Sequence, residues 1–366
     1  MSRRLADVQA VVFAGGSGNR MMALTEQIPK ALLPVANLPL YWHALNLLWR
    51  NSIHDVILVT NASCDSAVRN ALNTLLPLPG LNIEIFCPSS NANESDDLEQ
   101  YGTADVLRLL QRRIKPNHDI LLMSGDIVSD FSLEGMFSFH CKNSSILTCL
   151  FSDTMLNGPT PGPKQFSSIK ADLIPYLLKG QYTKIYKSIA SFVNASNIDE
   201  NSRYCPYRCF AYRSSSSDGL LIAQCNTIAV YFEANKAIQK VLKNICQSLF
   251  DSQRDAAYFK TQKANVSDCL VHATSSLSEK SILKRSQIGR NCTVGEKARI
   301  ENSLLMDGVV VHAGAIVKSS IVFPNVIIEE NAEVNMCIVG TDQKVSKNEK
   351  FSNTIMRVEN EMSLDE

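Results

Sequence analysis

The stretch Ile282-Leu283-Lys284-Arg285-Ser286-Gln287-Ile288-Gly289-Arg290-Asn291-Cys292-Thr293-Val294-Gly295-Glu296-Lys297-Ala298-Arg299-Ile300 decides the architecture of the C-terminal part of this chain. Its aliphatic residues Leu283, Ile288, Val294 and Ile300 are spaced by five, six and six residues, and the pattern then recurs. Three interleaved series share a period of seventeen: Val271, Ile288, Leu305, Val322 and Val339; Leu277, Val294, Val311 and Ile328; Leu283, Ile300, Val317 and Val334. A helix needs apolar positions every three or four residues and a strand every second one, so neither explains the spacing. A coil of three short strands does. Each coil turns one aliphatic side chain per face into a shared interior, and successive coils stack like on like. About five coils fit between Val271 and Gly340. Gly289, Gly295 and Gly340 each follow an inward position, which suits corners that reject a side chain or demand positive φ.

At 366 residues the chain is long enough for two domains with separate cores. Thirty-six basic residues balance thirty-six acidic ones, so no global field recruits nucleic acid or an anionic membrane. Arg3 and Arg4 precede an apolar run that stops at Gly15, too short for a signal-sequence core or a span, and no longer run follows. Eleven scattered cysteines fit a reducing cytosol better than a disulfide framework. Cys205 and Cys209 form a close pair without a second pair at zinc-site spacing.

The N-terminal half alternates between the two regular periods. Strands are expected at Val8 to Ala14, Asp55 to Thr60, Asn82 to Cys87, Ile120 to Ser124 and Ser145 to Phe151. Helices are expected at Leu40 to Trp49, Asp65 to Leu76, Thr103 to Arg113 and Ser132 to His140. Such alternation predicts a mostly parallel sheet covered on both faces, with ligands at the carboxyl ends of its strands.

Two loops fall at such ends. Gly15-Gly16-Ser17-Gly18-Asn19-Arg20 leaves a strand with three glycines that let backbone N–H groups approach phosphate oxygens, while Arg20 adds charge. It is neither standard phosphate motif: no Gly-Lys-Ser/Thr follows, and Met21 stands at the third glycine of the dinucleotide pattern. Lys30 follows between the stiffening Pro29 and Pro34. The second loop, Ser124-Gly125-Asp126, offers a carboxylate that can hold Mg²⁺ over phosphates; the structural alternative is an Asp capping the next helix.

Together these residues resemble the sugar-phosphate nucleotidyltransferases, whose catalytic domain often carries a left-handed β-helix. The family's glycine-rich loop, Arg and Leu-Thr correspond to Gly15-Gly16-Ser17-Gly18-Asn19-Arg20 and Leu24-Thr25, and its Pro-Lys-Pro-Leu-x-Pro-Val to Pro29-Lys30-Ala31-Leu32-Leu33-Pro34-Val35. Gly102-Thr103-Ala104 resembles the loop that contacts the base, and Gly125-Asp126 the metal-binding pair. The active enzymes' Glu-Lys-Pro strand, with its sugar-phosphate lysine, and their second metal carboxylate are missing here. The remaining segments are similar to the gamma subunits of translation initiation factor 2B, a guanine-nucleotide exchange factor. Asn37, Pro39-Leu40, Trp42 and Leu45-Asn46-Leu47-Leu48 suit them, as do Ser168 to Leu177 and Asn226 to Asn235.

The resemblance implies a nucleotidyltransferase-like α/β domain over 1–187, shortened around 151–167. A linker over 188–264 follows, with polar loops at Ser188 to Ser202 and Arg213 to Gly219 and strands expected in Leu220 to Tyr231 that introduce the β-helix. A left-handed β-helix over 265–345 and a tail over 346–366 complete the chain. It implies a cytosolic, non-catalytic regulatory or structural subunit that partners the epsilon and other subunits of the exchange factor. The complex would promote GDP release and GTP loading on initiation factor 2, with no direct nucleic-acid or membrane binding. Gly15, Gly16, Gly18, Arg20, Lys30, Gly102, Thr103 and Asp126 become a vestigial or regulatory nucleotide site. No cofactor is required there, although GTP or a nucleotide sugar with Mg²⁺ suits it. The alternatives are an active sugar-1-phosphate nucleotidyltransferase of the mannose-1-phosphate guanylyltransferase kind and an acyltransferase using His312 as base; the plain reading of His312 is an exposed corner residue.

Overall fold

The computed structural model describes residues 4–74, 78–88, 101–116, 118–151, 169–182, 208–214, 219, 221–245, 266–278 and 280–356. They divide into two compact units, one holding Met1–Gly16 and His43–Gln224, the other Ser17–Trp42 and Cys225–Glu366. Neither unit is contiguous in sequence, unlike the domains expected to meet at 187 and 264. The shortened region at 152–167, the polar loop at Ser188 to Ser202, and Cys205 lie outside the described residues.

In the first unit β1 (Val8–Phe13), β2 (Asp55–Val59), β3 (Asn82–Phe86) and β4 (Asp119–Ser124) form a parallel sheet in the order β3-β2-β1-β4. β1 is apolar at nearly every position because both its faces are covered. The connecting helices are α1 (Leu40–Arg50), which contains the boundary between units, α2 (Asp65–Thr74) and α3 (Thr103–Leu110). Val106 and Leu110 of α3 pack on Val11, Ile57, Val59 and Phe86 of the sheet. Phe13 is in register with Ser124, so β1 and β4 end side by side where the strand order reverses. Elsewhere in this unit Leu147–Phe151 pairs in parallel with Cys209–Arg213, and Phe139 of the helix Glu134–Lys142 sits edge-on to Phe210 and Tyr212.

The apolar segment expected to introduce the β-helix with strands divides instead. Ile222–Gln224 pairs antiparallel with Ile127–Ser129 in the first unit. Ile228–Ile245 is an eighteen-residue helix of the second. Its Tyr231, Ala234, Ile238, Val241, Leu242 and Ile245 are buried at helical spacing, so part of the presumed linker is core.

The rest of the second unit is a three-faced parallel β-helix whose faces carry six, six and five strands, from Val266–Ser267 to Ile355–Met356. Register partners are seventeen residues apart, as in Leu283, Ile300, Val317 and Val334. Of the aliphatic series, all are buried except Leu277, which packs partly buried against the same core. Coils continue to Met356, and Phe351 and Met356 pack on the core, so the segment expected to be tail from 346 begins as β-helix. The corner glycines play one of the two expected parts. A Cβ on Gly289, Gly295 or Gly340 would come within 2.6, 2.8 or 2.8 Å of neighbouring atoms of the next coil. Positive φ falls instead on Gly308 and Gly314 and on residues such as Asn302, Asn325 and Asn331.

The segment 17–42 is stitched to this β-helix. Its hairpin, Pro34–Val35 with Leu38–Pro39, turns through Ala36 and Asn37 at φ 51° and 61°. The Ala36 N–H donates to Gln287 Oε1 at 3.1 Å, Asn37 Nδ2 to the Ile288 carbonyl at 3.0 Å, and Tyr231 Oη to the Pro34 carbonyl at 2.6 Å. Farther along, Gln27 Oε1 accepts from the backbone and hydroxyl of Thr341 at 2.7 and 2.8 Å.

Candidate functional site

At the carboxyl end of β1 the Ala14 N–H donates to the Val59 carbonyl at 2.8 Å, and Asn61 Nδ2 donates to the Gly15 carbonyl at 2.8 Å. A Cβ on Gly15 would lie 2.9 Å from the Thr60 carbonyl carbon, so glycine is what lets the loop settle on the end of β2. At Gly16 a Cβ would meet nothing within 4 Å, and the residue is exposed. Asn61 is itself held, its Oδ1 accepting from the Cys64 N–H at 3.0 Å and Ser63 Oγ at 2.9 Å. Next to it, Thr60 Oγ1 donates to Asp65 at 2.6 Å, and the Arg69 guanidinium beside Asp65 holds that carboxyl below its ordinary range.

At the end of β4 the Gly125 N–H donates to the Phe13 carbonyl at 2.8 Å, and a Cβ on Gly125 would lie 3.1 Å from Ala14. Asp126 comes next, only 7% exposed. It leads into the strand Ile127–Ser129 rather than a helix, which removes the helix-cap reading. Gly15, Gly16 and Asp126 thus leave adjacent strand ends at the reversal of strand order, where open α/β sheets bind ligands.

Gly102 and Thr103 belong to the same unit and begin α3. The Gly102 N–H donates to Asp105 at 3.2 Å, and Thr103 Oγ1 accepts from the Ile169 N–H at 2.9 Å, so both groups are engaged by their own chain. Gly18, Arg20 and Lys30 belong to the other unit. Gly18 has φ 75°, and its conformation brings Thr25 Oγ1 to 3.2 Å from the Gly18 and Met21 carbonyls, which gives the Leu24-Thr25 pair a folding role. Arg20 is exposed. Lys30 opens a short turn closed by the Leu32 N–H on the Pro29 carbonyl at 2.8 Å. The expected set is therefore split between the units, five residues in one and three in the other.

Sequence reasoning passed over Asn61, which anchors the glycine loop, and gave Asn37, which anchors the hairpin, only as part of the family resemblance. The available signal was an Asn directly after a strand and another at a turn between prolines. His312 is exposed at a corner of the β-helix, with its N–H on the Ile328 carbonyl. Among the described residues no three His, Cys, Asp or Glu side chains gather to hold a metal. Mg²⁺ is commonly held by one or two carboxylates with phosphates and water completing its shell, and Asp126 fits as one such ligand. No helix among the described residues is long and apolar enough to cross a membrane.

Comparison with known proteins matches two successive stretches of the chain, the first of which includes 17–42. Residues 9–161 match the nucleotidyl transferase family model, and residues 254–351 match the EIF2B subunit epsilon LbH domain. The chain is 28% identical to the translation initiation factor eIF2B subunit gamma of Caenorhabditis elegans, over 78% of this chain and 81% of that protein. It is 27% identical to a probable mannose-1-phosphate guanylyltransferase 2 of Arabidopsis thaliana, over 36% of this chain and 35% of the relative. With the mannose-1-phosphate guanylyltransferase catalytic subunit beta of Xenopus tropicalis the figures are 28%, 36% and 34%.

Proposed function

We propose that the chain, whose residues 9–161 match the nucleotidyl transferase model and residues 254–351 the EIF2B subunit epsilon LbH domain, is a gamma-type subunit of the translation initiation exchange factor. In this reading it is a non-catalytic regulatory or structural partner of the epsilon subunit in the cytosol. One observation carries it: similarity to the gamma subunit covers 78% of the chain, whereas similarity to the guanylyltransferases covers between 36% and 51% of it. The complex promotes GDP release and GTP loading on initiation factor 2. This chain contributes by binding the conformation that releases nucleotide, since a partner shifts an equilibrium only through differential affinity. The test is GDP release from labelled initiation factor 2 by the exchange complex reconstituted with and without this chain. Faster release with the chain supports the reading, and identical rates refute it.

The nucleotide site is part of the proposal. Gly15 and Gly16 give a nucleotide's phosphates a close approach to the backbone at the β1 end, and Asp126 shares Mg²⁺ with them at the β4 end. Arg20 and Lys30 take the phosphate-neutralising role that the resemblance assigns them. Equal GTP affinity in wild type, Arg20→Ala and Lys30→Ala would remove that role.

A second reading, active guanylyltransferase, is favoured by the pairing of Gly15-Gly16 with Asp126 at the reversal of strand order. It requires pyrophosphate release from GTP and mannose 1-phosphate that Asp126→Asn abolishes.

A further inference from the structure

The β-helix treats its surface lysines in two ways. Toward the C-terminus Lys344, Lys347 and Lys350 pair with Glu329, Glu330 and Glu333 at 2.7, 2.6 and 2.9 Å. In the earlier coils Lys284, Arg285, Lys297, Arg299 and Lys318 are all exposed, and among the described residues no carboxylate lies within ion-pair distance of them. Three of these cations stand on one face, the one built from Ile282–Lys284, Arg299–Glu301 and Ile316–Lys318. Leu283, Ile300 and Val317 point inward there, so the flanking residues face out. Ile282, Arg299 and Ile316 form one outward column; Lys284, Glu301 and Lys318 form the other.

Arg285 turns the corner of this face at φ 47°, in the left-handed region where the next coil places Asn302 at φ 51°. Asparagine suits that conformation and arginine does not, so the turn itself gives no reason for a guanidinium there. Its side chain lines a shallow, solvent-open cleft, together with Asn302 and with Phe232, Lys236 and Gln239 of the helix Ile228–Ile245. Lys236 there lies 2.7 Å from Glu233 and 5.2 Å from the centre of the Phe232 ring.

We propose that this face and the adjoining cleft form a docking surface for an acidic, partly apolar extended segment of a partner protein. Charge complementarity selects acid, with Lys284, Arg299 and Lys318 on the face and Arg285 at its corner against Glu301. The face also selects protein over nucleic acid. A phosphate chain would cross Glu301 in the middle of the patch, and the Phe232 ring of the cleft already carries Lys236 at 5.2 Å. A peptide alternating acidic and apolar side chains matches the alternation of Arg299 with Ile282 and Ile316. At the edge of the cleft the Arg285 guanidinium is the group that takes a carboxylate of the segment. This surface is independent of the nucleotide site and of the identity of the exchange complex.

The test uses fluorescence anisotropy on the full chain, with a labelled octapeptide alternating glutamate and leucine and, separately, a twelve-nucleotide polyuridine RNA. The wild type should bind the peptide, more weakly as salt rises. Lys284→Glu with Arg299→Glu should weaken binding at least tenfold, and the charge-matched pair Lys344→Glu with Lys347→Glu should leave it within twofold. Arg285→Gly separates docking from folding, because glycine accepts positive φ: its melting temperature should hold or rise while peptide affinity falls at least threefold. Absence of peptide binding, equal weakening by both charge-reversed pairs, unchanged affinity in Arg285→Gly, or binding of the RNA in place of the peptide would each overturn the proposal.

Discussion

At the scale of single residues, the glycines of the N-terminal loop do different work although they stand side by side. Gly15 rests against the backbone of Thr60, whereas Gly16 borders open space. Gly15→Ala should therefore destabilise the chain by about 1–3 kcal/mol in urea denaturation, through overpacking against backbone that cannot give way. Gly16→Ala should leave stability within roughly 0.5 kcal/mol and act only on ligand affinity. Equal stability of the two variants would contradict this division. The sequence marked both as glycines after a strand but held no sign of which neighbour each would meet, because Thr60 lies a whole crossover away. Titration adds a second residue-scale expectation. Burial pushes the Cys269 and Cys292 thiols up to about 11 from 9.0. The folded chain holds those protons more tightly than the unfolded one, so their contribution is intact below pH 9 and is lost as pH rises toward 11. Stability measured across that window should fall, and less steeply in Cys269→Ser with Cys292→Ser; both thiols should resist alkylation until the chain unfolds. Burial also lowers His272 from 6.5, so stability should decline as pH drops below that value, and His272→Gln should flatten the decline.

Elements of the β-helix repeat small polar corners as faithfully as aliphatic faces. Cys269, Ser286, Ser303, Ser320 and Cys337 form a buried column seventeen residues apart, in which Ser286 Oγ accepts from the Ser303 N–H at 3.1 Å and Ser303 Oγ from the Ser320 N–H at 3.2 Å. Ser303→Ala should cost about 1–3 kcal/mol, since the Ser320 N–H stays buried without its acceptor. A loss below half of that would mean the column fills space without bonding. Ending the chain after Val345 should lower the melting temperature by several degrees, because Phe351 and Met356 would leave the core of the last coil; an unchanged value would make that coil an ornament. These features bound what was legible. The aliphatic series stood out because a period of seventeen fits no helix or strand, whereas serine and cysteine corners carry no hydrophobic signal. The helix Ile228–Ile245 was missed although its buried face follows helical spacing, because the reading stopped at Tyr231 and treated the apolar run before it as strand.

For the whole molecule, sequence patterns delivered both architectures but not their partition. Residues 17–42 follow the first strand directly, yet Ala36, Asn37 and Gln27 bond to the β-helix some 250 to 310 residues later in the chain. Local periodicity cannot encode so distant a pairing, and the motif resemblance that picked out Arg20 and Lys30 says nothing of which compact unit holds them. That junction should be cooperative with the β-helix. Asn37→Ala should speed amide exchange in the hairpin and at Ile288 together, and exchange changing only in the hairpin would show the two to be uncoupled. The central claim concerns association and is most directly tested by purifying the tagged full chain from its own cells and identifying the co-purifying chains by mass spectrometry. The account predicts the epsilon subunit of the exchange factor in stoichiometric amount, with initiation factor 2 in attendance. A chain recovered alone, or only with copies of itself and releasing pyrophosphate from GTP and mannose 1-phosphate, would contradict it.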